Sequence, residues 1–176
     1  CAVRFVKLVA MNDTVSNNLQ KVRKRIELAS KAAGRASDAV KLWAVSKTMP
    51  AQAVREAHAA GQLAFGENYI QEGVDKIASL ADLPLEWHCI GPIQSNKSKL
   101  VAENFAWVHS IDRLKIAERL SAQRPAHLPP LQICLQVNVD GGNNKSGVTP
   151  SELLELAQAV AKLPHLQLRG LMTIPE

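Results

Sequence analysis

Lys47 ends an apolar run, Val40-Lys41-Leu42-Trp43-Ala44-Val45-Ser46-Lys47, and Thr48-Met49-Pro50 closes it. The run reads as a short buried strand that feeds a helix. An amine at the mouth of such a strand is partly desolvated, which favours its neutral form. A neutral amine attacks an aldehyde and forms a Schiff base. The competing reading is a strand-end lysine whose stem packs while its ammonium reaches water. Lys47 alone does not separate the two.

The elements that would position such a lysine follow from the alternation of the chain. Strands are expected over 40–46, 63–65, 87–90, 106–109, 131–139 and 166–174. Helical patterns fill 51–60, 69–80, 95–103, 112–123 and 149–163, with Ser95 and Asp112 expected as N-caps and Gly61 and Pro164 as stops. A further helix precedes them, with Leu19, Val22, Ile26, Ala29 and Ala33 at helical spacing. Strands that alternate with helices imply a parallel sheet with right-handed crossovers. An open doubly wound sheet would carry a glycine-rich phosphate turn after its first strand, and Ser46-Lys47-Thr48-Met49-Pro50 has no glycine. The expected fold is therefore α/β, a (β/α)8 TIM barrel with about six of its eight strands present. An unclosed barrel leaves an unpaired edge, so residues 11–176 are expected to be a single barrel domain, truncated before the last strands of a longer natural chain. Residues 1–10 are expected to be an N-terminal extension outside the fold, with Met11 as a natural start.

Barrel chemistry sits at the carboxyl ends of the strands. The residues expected there are Lys47, Glu67, Asn68, His88, Gly91, Ser110, Asn138, Met172 and Thr173. Each has a plainer reading. Asn68 caps the next helix, His88 is a core histidine beside Trp87, and Ser110 serves a turn. Asn138 closes an apolar strand, where a buried amide needs partners. Gly66 and Gly91 serve tight turns. No pair of carboxylates suits glycoside hydrolysis. His88 and His109 fall on different strands without supporting ligands, so no metal site is expected. The loop holding Gly141, Gly142 and Gly147 is expected to be a connector rather than a flap.

Composition narrows the function classes. The 176 residues carry a net charge of +5, which suits an anionic partner. The densest basic cluster, Lys21-Val22-Arg23-Lys24-Arg25, lies on the solvated side of a helix, and no aromatic residues interleave to stack on bases. Nucleic acid is therefore not an expected partner. Cys1, Cys89 and Cys134 show no pairing or ligand spacing, which points to a reducing compartment without disulfides. No apolar stretch is long enough to cross a bilayer. A cytoplasmic location without membrane contact is expected.

Longer segments carry a resemblance. They are Ala44-Val45-Ser46-Lys47-Thr48, Phe65-Gly66-Glu67-Asn68-Tyr69-Ile70-Gln71-Glu72, Trp87-His88-Cys89-Ile90-Gly91-Pro92-Ile93-Gln94-Ser95-Asn96-Lys97, His109-Ser110-Ile111-Asp112, Gln136-Val137-Asn138 and Gly170-Leu171-Met172-Thr173-Ile174-Pro175. In this order they resemble the YggS/PROSC family of pyridoxal-phosphate homeostasis proteins. The resemblance implies a barrel like the N-terminal domain of alanine racemase. It implies that Lys47 binds pyridoxal 5'-phosphate as a Schiff base, with Asn68, His88, Ser110, Asn138 and Met172 around the cofactor. It also implies a non-catalytic intracellular carrier, monomeric, in transient contact with pyridoxal-phosphate enzymes. The family's phosphate-gripping segments, a serine-containing loop and an Arg-Ile-Gly stretch, do not occur in this chain, so its affinity is expected to be poor. The alternative is an amino-acid racemase or decarboxylase on the same barrel. Racemisation needs a base on each face of the substrate, and Tyr69, the one tyrosine, is expected to begin a helix.

Overall fold

Apolar runs bounded by turn residues become the strands, and stretches with 3.6-residue periodicity become the helices between them. The computed structural model describes residues 2–7, 14–142 and 145–175. They fall into two compact units, Cys1–Gly66 with Ala78–Glu86, and Glu67–Ile77 with Trp87–Glu176.

The first unit contains β1 (Ala2–Lys7), α1 (Val15–Ala32), β2 (Val40–Val45), α2 (Ala51–Ala59) and most of β3 (Ala64–Glu67). Its strands are parallel and lie in chain order. β1 pairs with β2 from Ala2↔Val40 to Lys7↔Val45, and β2 pairs with β3 through Ala44↔Phe65 and Val45↔Gly66. Thr14 caps α1, its hydroxyl accepting from the Asn17 N–H at 3.3 Å. Trp43, Val45, Val54, Ala57 and Phe65 are buried in this unit. Buried Gln62 donates to the carbonyls of Leu42 and Ala64, and Arg23 on α1 donates to the Ala60 carbonyl at 2.8 Å. These bonds satisfy backbone groups where α2 gives way to β3.

The second unit holds most of α3 (Ile70–Ser79), then β4 (Glu86–Cys89), a single 3₁₀ turn at Ser95–Lys97 and α4 (Ser98–Asn104). β5 (Trp107–Ile111), α5 (Leu114–Gln123), β6 (Leu131–Gln136), α6 (Leu153–Val160) and β7 (Leu166–Met172) follow. Its strands also run parallel in chain order, β4-β5-β6-β7. Val101, Phe105, Val108, Ile116, Leu120, Ile133 and Leu135 are among its fully buried apolar residues. Arg124 is only 8% exposed and donates to the carbonyls of Ala102, Phe105 and Pro129 at 2.7 to 2.9 Å. Desolvation lowers its pKa from the ordinary arginine value.

The strand-helix alternation expected from the sequence is what both units show. Four details differ. Ser95, expected as a helix cap, instead begins the 3₁₀ turn, and Lys97 stands at the cap position of α4. Residues 2–7, expected outside the fold, form β1, because a short alternating run with Val3, Phe5 and Val6 can pair with the free edge of β2. Residues 8–13, with Met11, lie outside the described residues. Asp112 is not the cap of α5; that place falls to Arg113 in extended conformation, and the Asp112 carboxylate faces its guanidinium at 3.6 Å. The strand expected over 131–139 stops at Gln136, since Val137 already bridges to Val148 across the following loop. No helix among the described residues is long and apolar enough to cross a membrane.

Candidate functional site

In the first unit Lys47 lies two residues past the end of β2 and is half-buried. Its predecessor Ser46 is fully buried and donates its N–H to the Gly66 carbonyl at 3.0 Å. The Ser46 carbonyl accepts from the Met49 N–H at 3.0 Å, which closes a tight turn around Lys47 and Thr48. Thr48 has φ +62, in the left-handed region. A β-branched residue there is an outlier, and such strain gathers at functional turns. Lys47 is therefore held between a buried serine and a strained threonine.

In the second unit, Asn68, Gly91, Gln136, Asn138 and Lys145 line a cavity of about 280 Å³. Two of the expected cofactor residues, Asn68 and Asn138, meet there. Gly91 is required by proximity: a Cβ on it would stand 2.1 Å from the Asn68 carbonyl oxygen. Ser110 donates its hydroxyl to the Gly91 carbonyl at 2.5 Å, so it fixes the wall of the cavity through that backbone. Asn138 closes its own loop. Its Oδ1 accepts from the Gly141 N–H at 3.1 Å, and its Nδ2 donates to the carbonyls of Gly142 at 2.9 Å and Lys145 at 3.4 Å. Gly147 seats the far side of the loop: at φ +123, a Cβ there would lie 2.7 Å from the Asn138 nitrogen. Met172 is buried, and its carbonyl accepts from the Val137 N–H at 2.9 Å.

Lys145 was not singled out in the sequence. Its ammonium sits 2.5 Å from the Asp140 carboxylate and reaches the Ile174 carbonyl at 3.4 Å. The available signal was a lone cation in a loop of turn residues, which by itself reads as solvation. Glu67 is also more committed than its strand-end position suggested. It is 1% exposed, and its Oε1 accepts from Lys76 at 2.7 Å. Lys76 is itself buried and also reaches Glu72 at 3.0 Å.

His88 is fully buried and is not among the residues lining that cavity. The sequence placed His88 and His109 on separate strands without a link. β4 and β5 are parallel neighbours, and their register brings His88 Nδ1 to 2.9 Å from His109 Nε2. Trp107 stacks on both imidazoles, at 5.5 Å from His88 and 5.7 Å from His109. Arg169 lies over the Trp107 ring at 5.8 Å. No group of three or more His, Cys, Asp or Glu side chains arranged to hold a metal ion occurs among the described residues. Burial pushes the Cys89 thiol up to about 12 and the Cys134 thiol up to about 11, so neither is a poised nucleophile.

Comparison with known proteins matches residues 17–176 to the family model "Alanine racemase, N-terminal domain". A pyridoxal phosphate homeostasis protein of Pseudomonas aeruginosa is 64% identical over 163 residues, covering 93% of this chain and 71% of that protein. The solved structure of PipY from Synechococcus elongatus with pyridoxal phosphate bound is 38% identical, with a TM-score of 0.78 over 92% of this chain and 70% of PipY. Alanine racemase from Corynebacterium glutamicum is 21% identical, with a TM-score of 0.63 over 96% of this chain and 45% of the racemase, a likeness of fold. The α/β fold expected from the strand-helix alternation is thus the fold of the alanine racemase N-terminal domain family that the chain matches.

Proposed function

The chain belongs to the family of pyridoxal phosphate homeostasis proteins, and from that premise we propose that it binds pyridoxal 5'-phosphate on Lys47 and carries it without catalysis. The observation that carries this reading is Lys47 itself, half-buried at the carboxyl end of a strand and set in a strained turn. Half-burial suits an amine that must be accessible to an aldehyde and still sheltered from bulk water. Attachment forms one carbon–nitrogen double bond, and the aldehyde oxygen departs as water. The cofactor would supply the aldehyde carbon that the amine attacks and an electron-accepting ring.

The resemblance assigns Asn68, Asn138 and Met172 to the surroundings of the cofactor; the two asparagines line one cavity, which supports that reading, and Met172 is buried. Ser110 acts through the Gly91 backbone, and His88 offers an imidazole whose orientation is fixed by its neighbours. The reading gives no residue a catalytic role. Tyr69, the one tyrosine of the chain, is 57% exposed at the start of α3, a poor place for the second base that racemisation needs. A reversible Schiff base on a monomer, released to pyridoxal-phosphate enzymes in transient contact, is the carrier chemistry proposed.

Titration with pyridoxal phosphate tests this. The wild-type chain is expected to develop a visible absorption band that Lys47→Ala lacks, and the loaded protein is expected to restore activity to an apo-enzyme. A band retained by Lys47→Ala would contradict the attachment. Racemisation of alanine that disappears in Lys47→Ala would contradict the non-catalytic role.

A further inference from the structure

We propose that the amino-terminal end of β2 carries a binding site, separate from Lys47, for a small monocarboxylate with an apolar body, held by Arg23. A cavity of about 470 Å³ opens there within the first unit, lined by residues of α1, of β2 and of the turn before β3. Lys47 lies past the other end of the same strand. Its attachment chemistry makes no use of this cavity.

Arg23 is half-buried on α1. It donates Nη1 to the Ala60 carbonyl at 2.8 Å and Nη2 to Gln62 Oε1 at 3.3 Å. Gln62 is 4% exposed, and its Nε2 is committed to the carbonyls of Leu42 at 2.9 Å and Ala64 at 2.8 Å. The Gln62 amide is thereby fixed with its oxygen toward the guanidinium, which sets the plane of the fork before any ligand arrives. Both acceptors of Arg23 are neutral. Among the described residues no carboxylate pairs with it, although Glu27 stands one turn further along the helix; Glu27 pairs with Lys24 instead, at 3.2 Å. A guanidinium carries five N–H donors, so two bonds leave donors for a ligand. A partly desolvated cation, held in place and lacking a counter-ion, attracts an anion more strongly than an exposed one does.

The rest of the lining sets the ligand class. Lys41 adds a second cation. Ile26, Leu42 and Leu63 supply an apolar wall, with Leu63 53% exposed. An exposed leucine beside an oriented guanidinium suits a ligand with an anionic head and a hydrocarbon body. Glu27 and Glu86 also line the cavity. They offset the two cations, so a dianion meets more repulsion there than a monoanion does. A carboxylate, besides, matches the guanidinium fork with two parallel bonds.

Hexanoate, titrated into the protein without pyridoxal phosphate and followed by nitrogen-15 correlation spectra, tests the site. Saturable shifts are expected at the Gly61 amide, the Gln62 side-chain amide and the Arg23 Nε–H, strongest at low salt. Inorganic phosphate and hexanol at the same concentration are expected to shift them far less, since each lacks half of the ligand. Leu63→Asp puts a carboxylate on the exposed wall and is expected to weaken hexanoate binding about tenfold; Arg23→Gln is expected to weaken it further, through loss of a charged hydrogen bond. Hexanoate that moves none of these signals saturably would overturn the proposal. So would equal shifts from hexanol, the mark of a merely apolar groove, or equal shifts from phosphate, the mark of a general anion patch. If Arg23→Gln does not fold, undiminished hexanoate binding by Leu63→Asp would still overturn it. Failure of the proposed function shows differently, as a chain that binds hexanoate normally and takes up no pyridoxal phosphate.

Discussion

Gly91 carries no reactive group, yet it is among the least replaceable residues of the cavity. A methyl group there would meet the Asn68 carbonyl oxygen at 2.1 Å, and the obstacle is backbone. Gly91→Ala is expected to cost about 2 to 3 kcal/mol, read as a lowered midpoint in denaturant unfolding, because both strand ends must separate. Lys76 presents the opposite case, a buried charge between Glu67 and Glu72. Lys76→Met leaves the Glu67 carboxylate buried without its cation and is expected to cost about 3 to 5 kcal/mol; adding Glu67→Met should return part of it. Cys89 and Cys134, held protonated by burial, are expected to resist a thiol reagent in the native protein at mildly alkaline pH and to label only on unfolding, as mapped by mass spectrometry. The strand-end place of Lys47 was legible in the sequence because an apolar run meets a turn signal there; its role was not, because a strand-end lysine whose stem packs leaves the same pattern. The constraint on Gly91 was not, because close approach of two chain segments leaves no trace in local spacing.

At the scale of elements, the strands were legible wherever an apolar run met a turn signal. β1 was missed because its six residues carry Arg4 and Lys7 and acquire meaning only beside β2. The cap of α5 was missed because Asp112 lies one residue too early and pairs with Arg113 instead. The pairing of His88 with His109 needed the β4–β5 register, which no single-strand pattern contains. Arg124 shows what a side chain can do between elements. One buried guanidinium ties the end of α4 to the proline loop after α5 by three bonds to carbonyls. Arg124→Ala is expected to lower stability by about 3 kcal/mol, with Arg124→Lys recovering little, because a point charge cannot satisfy three carbonyls in different directions. The Asn138 side chain ties described parts of the following loop together, bonding the Gly141 N–H and the carbonyls of Gly142 and Lys145.

For the molecule as a whole, two exposed carboxyls contribute modestly to acid stability. The Arg55 guanidinium beside Asp82 holds that carboxyl below its ordinary 3.8, and Thr149 holds Glu152 below its ordinary 4.5. A depressed folded-state value stabilises above the unfolded value and is lost as pH falls through the folded one. Unfolding midpoints are therefore expected to be level above about pH 5 and to decline below about pH 4. Asp82→Asn with Glu152→Gln should shallow that decline modestly, since both groups are solvent-screened. The central claim concerns attachment at one nitrogen. Incubation with pyridoxal phosphate, reduction with borohydride and peptide mapping by mass spectrometry tests it most directly. The account predicts a stable pyridoxyl adduct on the peptide containing Lys47, absent from Lys47→Ala. An adduct confined to other lysines, with Lys47 unmodified, would contradict it.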